Sequence, residues 1–256
     1  MTAPLFLLAP GALDGVGPGA EVVLTGAEAR HAGASMRLET GEAVLVADGA
    51  GARARGTVVS AAADEVRVRV EESTPEPAPA PRLVLVQALS KGDRDLMAVQ
   101  AATELGVDAV VPWEAERSIV RWKGAKADRA HRKWEDTVRA AAKQARRGRV
   151  PEVRAAVSGA RVAELARTPA HDGGARLVLV LHEAAEQGLS AVSEAELAGA
   201  SEVLLVVGPE GGVSEAELAA AVDAGARPVL LGPHVLRAST AGPAALAVLQ
   251  HRLGRW

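Results

Sequence analysis

Between Val207 and Glu215 the chain reads Gly208-Pro209-Glu210-Gly211-Gly212-Val213-Ser214. Ahead of it, Val203–Val207 is an unbroken apolar run of strand length. Behind it, Ser214 and Glu217 have the spacing of a capping box, so a helix starts there, and Gly225 suits the residue just past its end. Three glycines between a buried strand and a helix start let a ligand approach the backbone closely, because no Cβ stands in the way. The stretch lacks the Lys-Ser/Thr pair of a phosphate loop and the spacing of a dinucleotide fingerprint. An ordinary glycine-rich turn has the same composition.

A second unit follows at Leu230-Leu231-Gly232-Pro233-His234-Val235-Leu236-Arg237-Ala238-Ser239-Thr240-Ala241. It again reads strand, glycine-bearing loop, helix, with Ser239 or Thr240 able to cap and Pro243 expected in the first helical turn. Two such units place two loops at the carboxyl edge of one sheet, where α/β proteins hold their ligands.

Other chemistry-bearing residues carry less. Glu104 sits in the last turn of a helix ending at Gly106, where its charge opposes the helix dipole, and Arg117 is its candidate partner. His182-Glu183-x-x-Glu186 lacks the second histidine and the third ligand of a zinc helix, so no metal site is expected.

The elements that must position these groups fall in two parts. Short β-type stretches, Leu5–Ala9, Ala43–Ala47, Thr57–Ser60 and Val66–Val70, fill residues 1–73 and fit a small β-barrel. Pro75, Pro77, Pro79 and Pro81 alternate with small residues and predict an extended linker over 74–81. From 82 to 256, the apolar runs Leu83–Leu89, Ala109–Pro112, Leu177–Leu181, Val203–Val207 and Val229–Leu231 alternate with helical stretches. That pattern predicts an α/β domain with a parallel sheet. One helix, from about Lys126 to Arg147, carries the stripe Ala127, Ala130, Trp134, Val138, Ala141, Ala145, which makes Trp134 a core residue.

The whole chain has 256 residues, a net charge of −3, 48% hydrophobic residues and no cysteine. It can bury a core, and it forms neither disulfides nor thiolate metal sites. Leu5–Ala9 has no basic flank, so a signal peptide is not expected, and no apolar run is long enough to span a bilayer. A soluble cytoplasmic protein is expected. The charge is unevenly spread: Arg117–Arg149 holds twelve basic residues against three acidic ones, a surplus of nine, on an otherwise acidic chain. A polyanion-binding face or a solvated basic helix fits equally. With no Tyr, one Phe and four Trp, the chain lacks the rings for stacking single-stranded RNA, so any RNA is held through Arg and phosphate.

The string Gly208-Pro209-Glu210-Gly211-Gly212-x-Ser214-x-x-Glu217, followed by Leu231-Gly232-Pro233-x-Val235-Leu236-Arg237, closely resembles the bacterial 16S rRNA uracil-N3 methyltransferases. These form the small-subunit methyltransferase E family of the SPOUT (α/β-knot) superfamily. Upstream, Lys91-Gly92-Asp93, Thr103-Glu104-Leu105-Gly106-Val107-Asp108, Glu116-Arg117-Ser118 and Gln144-x-x-Arg147-x-x-Val150-Pro151-Glu152-Val153 stand in family order. So do His31, Met36-Arg37 and Asp48-Gly49 in the first part.

The resemblance implies an α/β fold: a C-terminal SPOUT trefoil-knot domain with a parallel sheet, after a PUA/OB-like RNA-binding barrel. It implies S-adenosylmethionine as cofactor, held by Gly208, Pro209, Glu210, Gly211, Gly212, Leu231, Gly232, Leu236 and Arg237. It implies a homodimer acting on 16S rRNA of the 30S subunit, with no membrane and no metal as partner. RNA contacts are expected from His31, Arg37, Lys91, Arg94, Arg117, Gln144, Arg146 and Arg147. Arg237 is the candidate for electrostatic help, and Glu210 for proton acceptance or for capping loop amides. Four positions depart from the family: Ala238 and Ser239 stand where threonine and glutamate are common, Ala101 where a basic residue is, and His234 where an arginine is. Ser239 keeps open a non-catalytic RNA-binding protein of the same fold, and a ribose 2′-O methyltransferase is the other alternative.

Overall fold

The computed structural model describes residues 3–256. The chain divides into two units, residues up to 78 with 142–150, and 79–141 with 151–256.

In the first unit, strands β1 (Leu5–Leu7), β2 (Glu21–Thr25), β3 (Ala43–Ala47), β4 (Ala52–Ala61) and β5 (Glu65–Pro75) form one sheet in the order β1-β3-β4-β5-β2. A short helix, α1 (Gly26–Arg30), lies between β2 and β3. Strand β5 shows the period-2 logic of its sequence. Val66, Val68 and Val70 are buried, while Arg67 and Arg69 point out to Glu65 and Glu21. All five strands feed one core, with Phe6, Val22, Leu24, Val44, Val46 and Val58 joining the β5 valines, so the sheet must curl around it. The Asp48-Gly49 turn is built by Asp48, whose Oδ1 accepts the N–H groups of Ala50, Gly51 and Ala52.

The expected linker begins inside this sheet: Thr74 and Pro75 pair with Arg53 and Ala52 of β4. Beyond Arg69, β2 no longer covers the other side of β5, so Pro75 sits where its missing donor costs nothing. Residues 142–150 also belong to this unit. Lys143 Nζ reaches both oxygens of Glu28 at 2.9 and 2.7 Å. Arg149 donates to the carbonyls of Ala50 and Glu76.

The second unit is a seven-stranded sheet: β6 (Arg82–Ala88), β7 (Ala109–Glu114), β8 (Glu152–Val153), β9 (Val157–Ser158), β10 (Arg176–Leu181), β11 (Glu202–Val207) and β12 (Arg227–Val229). Its order is β12-β10-β11-β6-β7-β8, with β9 beside β7, and every pairing is parallel. The helices are α2 (Arg94–Glu104), α3 (Ala125–Gln144), α4 (Glu164–Arg167), α5 (Glu194–Gly199), α6 (Glu215–Asp223) and α7 (Ala238–Arg252). One sheet face packs Val84, Val86, Val111, Trp113, Val180, Leu204 and Val206 against Leu218 and Ala221 of α6. The other face carries α7, which lies on β6 and β11 and against α2.

Two expectations about helices change. Helix α3 ends at Gln144 rather than Arg147. Arg146 adopts φ +55°, and Arg147 N–H reaches back to Ala142 O at 2.9 Å, a closing turn in which Arg146 takes glycine's place. Helix α7 starts at Ala238 with Arg237 as N-cap and no side-chain cap from Ser239 or Thr240. Pro243 therefore lies inside the helix, past the first turn, where it has no N–H to give the Ser239 carbonyl. Trp134 is core as expected, edge-on to Trp122 at 5.7 Å.

The amino edge of the sheet is tied by charge. Glu202, buried at the start of β11, binds Arg154 and Arg176 at 2.5 and 2.8 Å, with Arg82 at 3.9 Å. Burial pushes its carboxyl up, but the hydrogen bonds and charges of Arg154 and Arg176 outweigh this and hold it below the ordinary range.

Candidate functional site

At the carboxyl edge, strand register decides which loops are neighbours. Leu181 of β10 pairs with Val207 of β11 on one side and Val229 of β12 on the other. One residue further along, β10 gives way to a loop that begins at His182, and Leu230 turns to bridge Gly188 of that loop. The two glycine-bearing loops are consecutive in sequence, yet they straddle the loop that begins at His182. That middle loop is stitched to the third: His182 N–H reaches Val229 O, Leu230 N–H reaches Gln187 O, and Leu189 N–H reaches Leu230 O. The His182 ring accepts the Ala184 N–H at its Nδ1, which leaves its proton on Nε2 in the neutral form. On sequence, His182 stands out only as an incomplete metal motif; its place at the end of an apolar strand run is the signal that points to this edge.

The Gly208–Gly212 loop is held from three sides. A Cβ on Gly208 would stand 2.8 Å from Val213 Cγ2, and Gly212 has φ +76°, so both positions need glycine. The Ser214–Glu217 capping box is present as expected. Glu217 also reaches outside the helix, where its Oε1 accepts Glu116 N–H at 2.7 Å and pins the loop after β7 to the start of α6. From that loop, Arg117 donates to Gly211 O at 3.1 Å. Glu104 is instead met by Gln100 at 3.1 Å, so the expected Glu104–Arg117 pair does not form; Arg117 is spent on the glycine loop. Glu210 caps no loop amide. It pairs with Arg94, at the start of α2, at 2.9 Å.

The structure thus joins Arg94, Arg117, Glu210 and Gly211 from three separated stretches. Lys91 lies exposed on the loop before α2. Close by, Asp95 is buried, which raises its carboxyl above the ordinary range against the backbone hydrogen bonds of Leu96 and Ser90. His31, Arg37, Gln144, Arg146 and Arg147 belong to the first unit. His31 and Arg37 are exposed there, His31 with its ring 6.0 Å from Phe6, whereas Arg146 and Arg147 are half-buried.

The third loop is bare. Val235 is 79% exposed and Leu236 39%, so the loop presents apolar side chains to solvent. Among the described residues, no acceptor takes the N–H groups of Gly232 or His234–Leu236. Arg237 sits at the positive end of α7, where a cation opposes the helix dipole. Gln87 Oε1 at the end of β6 and Ser118 Oγ after β7 are buried at this edge with no partner among the described residues. Neither is among the residues expected from sequence, although Gln87 is a polar residue inside the apolar run Leu83–Leu89.

Comparison with known proteins fits this geometry. Residues 76–250 match the model of the RNA methyltransferase domain, and 24–71 that of the RNA methyltransferase PUA domain. The Ribosomal RNA small subunit methyltransferase E of Mycobacterium tuberculosis is 41% identical over 93% of this chain and 89% of its own length. The chain belongs to that family.

The methyltransferase E of Bacillus subtilis is 32% identical over 90% of this chain and 89% of its own. Among solved structures, the methyltransferase E of Neisseria gonorrhoeae, determined with S-adenosyl methionine bound, superposes with a TM-score of 0.82 at 28% identity, covering 98% of each chain. The fold is the family's: a PUA domain on a curled sheet, followed by a SPOUT α/β domain.

Proposed function

We propose that this member of the methyltransferase E family transfers a methyl group from S-adenosylmethionine to N3 of a uracil in 16S rRNA of the small ribosomal subunit. The observation that carries the reading is the straddled arrangement: two glycine-bearing loops flank His182, and a bare helix start with Arg237 stands beside them.

The residues present fit the cofactor. A Cβ on Gly232 would meet nothing within 4 Å, so this stretch has room. The N–H groups of Gly232 and His234–Leu236 are available to a purine and a ribose. Val235 and Leu236 offer apolar surface to a flat ring. Gly208, Pro209, Glu210, Gly211, Gly212, Leu231, Gly232, Leu236 and Arg237 would hold it, with His182 Nε2–H between them. S-adenosylmethionine supplies an electrophilic methyl on a sulfonium.

The chain's own residues deal with the uracil. N3 becomes nucleophilic only as its proton leaves, and the negative charge then spreads to the ring oxygens. The Arg237 guanidinium, at the start of α7, meets that charge. Glu210, fixed by Arg94, accepts the N3 proton. The new C–N bond forms as the C–S bond breaks, and that electron pair stays on sulfur.

The RNA is gripped by phosphate contacts from His31, Arg37, Lys91, Arg94, Arg117, Gln144, Arg146 and Arg147. A second copy of the chain covers Met97 and Val248, exposed apolar residues on α2 and α7, two helices that pack together. The substrate places the protein in the cytoplasm; among the described residues no helix is long and apolar enough to cross a membrane.

The experiment is incubation with 30S subunits and isotopically labelled S-adenosylmethionine, followed by nucleoside mass spectrometry. Label in 3-methyluridine supports the reading. Label in ribose makes the chain a 2′-O methyltransferase, and cofactor binding without transfer makes it a non-catalytic RNA-binding protein.

A further inference from the structure

Gln87 is fully buried in the central strand β6; its Nε2 donates to Ala88 O at 3.3 Å and its Oε1 has no partner. An orphaned amide oxygen in an apolar interior is destabilising, so a chain that retains one gives up stability at that spot. What lies over it follows from the packing on the same sheet face.

Helix α7 runs antiparallel to β6. A Cβ on Gly242 would stand 2.7 Å from Leu85 Cδ1 and 3.4 Å from Val207 Cγ2, and beyond the far end of the helix Arg255 donates to Pro81 O at 2.5 Å, just before β6 begins. Gln87 is two residues on from Leu85 and shares its face, about 6.6 Å along the strand. Ala238 is four residues before Gly242, shares the buried helix face, and lies about 6 Å along the axis. The first turn of α7 therefore lies level with Gln87.

That turn is loosely held. Arg237 provides no side-chain cap, and Thr240 and Ala241 N–H groups both go to Arg237 O. The N–H groups of Ala238 and Ser239 take no acceptor among the described residues. Pro243 withdraws the bond that would tie the next turn to Ser239 O. An unpartnered acceptor thus lies level with unpartnered donors, in a turn with fewer internal bonds than a helix normally has.

We infer that Gln87 is a positioning residue for methyl transfer: its side-chain oxygen takes the N–H of Ala238 or Ser239 when the methyl donor binds, and so fixes Arg237 over the reacting base. The inference rests on the reading that this edge binds S-adenosylmethionine. Gln87 touches neither donor nor uracil, and it acts through the α7 turn.

The test compares the full-length wild type with Gln87→Leu and, should branching at Cγ disturb the core, the unbranched Gln87→Met. Hydrogen exchange is followed on the peptide covering residues 237–242, with and without S-adenosylmethionine, alongside single-turnover methylation of 30S subunits. Wild type should gain protection at Ala238–Ser239 on donor binding, and the variants should not. The variants should melt at or above the wild-type temperature, transfer methyl about tenfold more slowly, and bind the donor several-fold more weakly, because they lack a bond made only in the donor complex. Equal protection in wild type and variants, or an unchanged single-turnover rate, overturns the inference. A drop in melting temperature of both variants assigns Gln87 to the core and overturns it too. Wild type that neither binds the donor nor transfers methyl removes the underlying reading instead.

Discussion

Arg117 donates to the carbonyl oxygen of Gly211 at 3.1 Å, and its own Cβ stands 3.2 Å from where a Cβ on residue 211 would be. The arginine therefore shapes the glycine loop both by reaching over it and by leaving it no room to widen. Arg117→Ala should weaken S-adenosylmethionine binding about tenfold, the value of one charge-assisted hydrogen bond, by titration calorimetry. Its melting temperature should stay near wild type, because the side chain is exposed. Unchanged affinity would show that the loop keeps its form without the tie.

Gly212 holds φ +76°, and a Cβ on Gly208 would stand 2.8 Å from Val213 Cγ2. Gly212→Ala should cost about 1 kcal/mol through the left-handed backbone alone. Gly208→Ala should cost more, because Val213 must move, and it should also abolish measurable donor binding. Urea denaturation of the two variants ranks them; a reversed order would place the strain elsewhere.

The Glu202 cluster sets an acid limit. Its carboxyl is held below the ordinary value of 4.5 in the folded protein, so its contribution is full above that value and fades as pH falls through the lower, folded one. Glu202→Gln leaves Arg176 buried without its counter-ion and Arg154 with only Glu152, and should cost roughly 3 kcal/mol at pH 7. The gap to wild type should narrow as the pH drops below about 4. Denaturant midpoints measured from pH 7 to pH 3 decide this, and a gap independent of pH would mean that shape rather than charge matters there.

Arg129 and Arg132 lie on the solvent side of α3, off its apolar stripe, whereas Lys143 and Arg149 of the same basic stretch are committed to Glu28 and to the Ala50 and Glu76 carbonyls. If α3 meets rRNA phosphates, Arg129→Glu with Arg132→Glu should shallow the log–log salt slope of RNA affinity by about 0.7–0.9 per lost contact. Lys143→Met should instead lower the melting temperature. A salt slope untouched by the double reversal would take α3 out of the RNA footprint.

Much of this architecture can be read from residue order. The Ser214–Glu217 cap, the valine alternation in β5 and the apolar strands from Leu83 onward are local patterns, and they survive in the fold. Relations between distant residues are not local, and there the sequence is silent. Nothing between Gly208 and Gly232 reveals that β10 intervenes, because strand order is fixed by crossovers rather than by composition. Pro243 suits a first turn only if Ser239 or Thr240 caps the helix; Arg237 takes the cap, so the proline falls within. The net charge of the α3 stretch is legible, but the pairing of Lys143 with Glu28 is not, since 115 residues separate them.

The placement of β12 and α7 has a consequence for synthesis. Gln250 donates to the Leu105 and Gly106 carbonyls at 2.8 and 3.1 Å, and Arg255 to that of Pro81, so α7, made well after β6, docks beside the first strand of its domain. A nascent chain halted at Gly225 would already carry its curled sheet and its glycine-rich bend, yet lack β12, the loop after it and α7. Such an arrested intermediate should remain blind to the methyl donor until β12 and α7 have been made and the domain closes on itself.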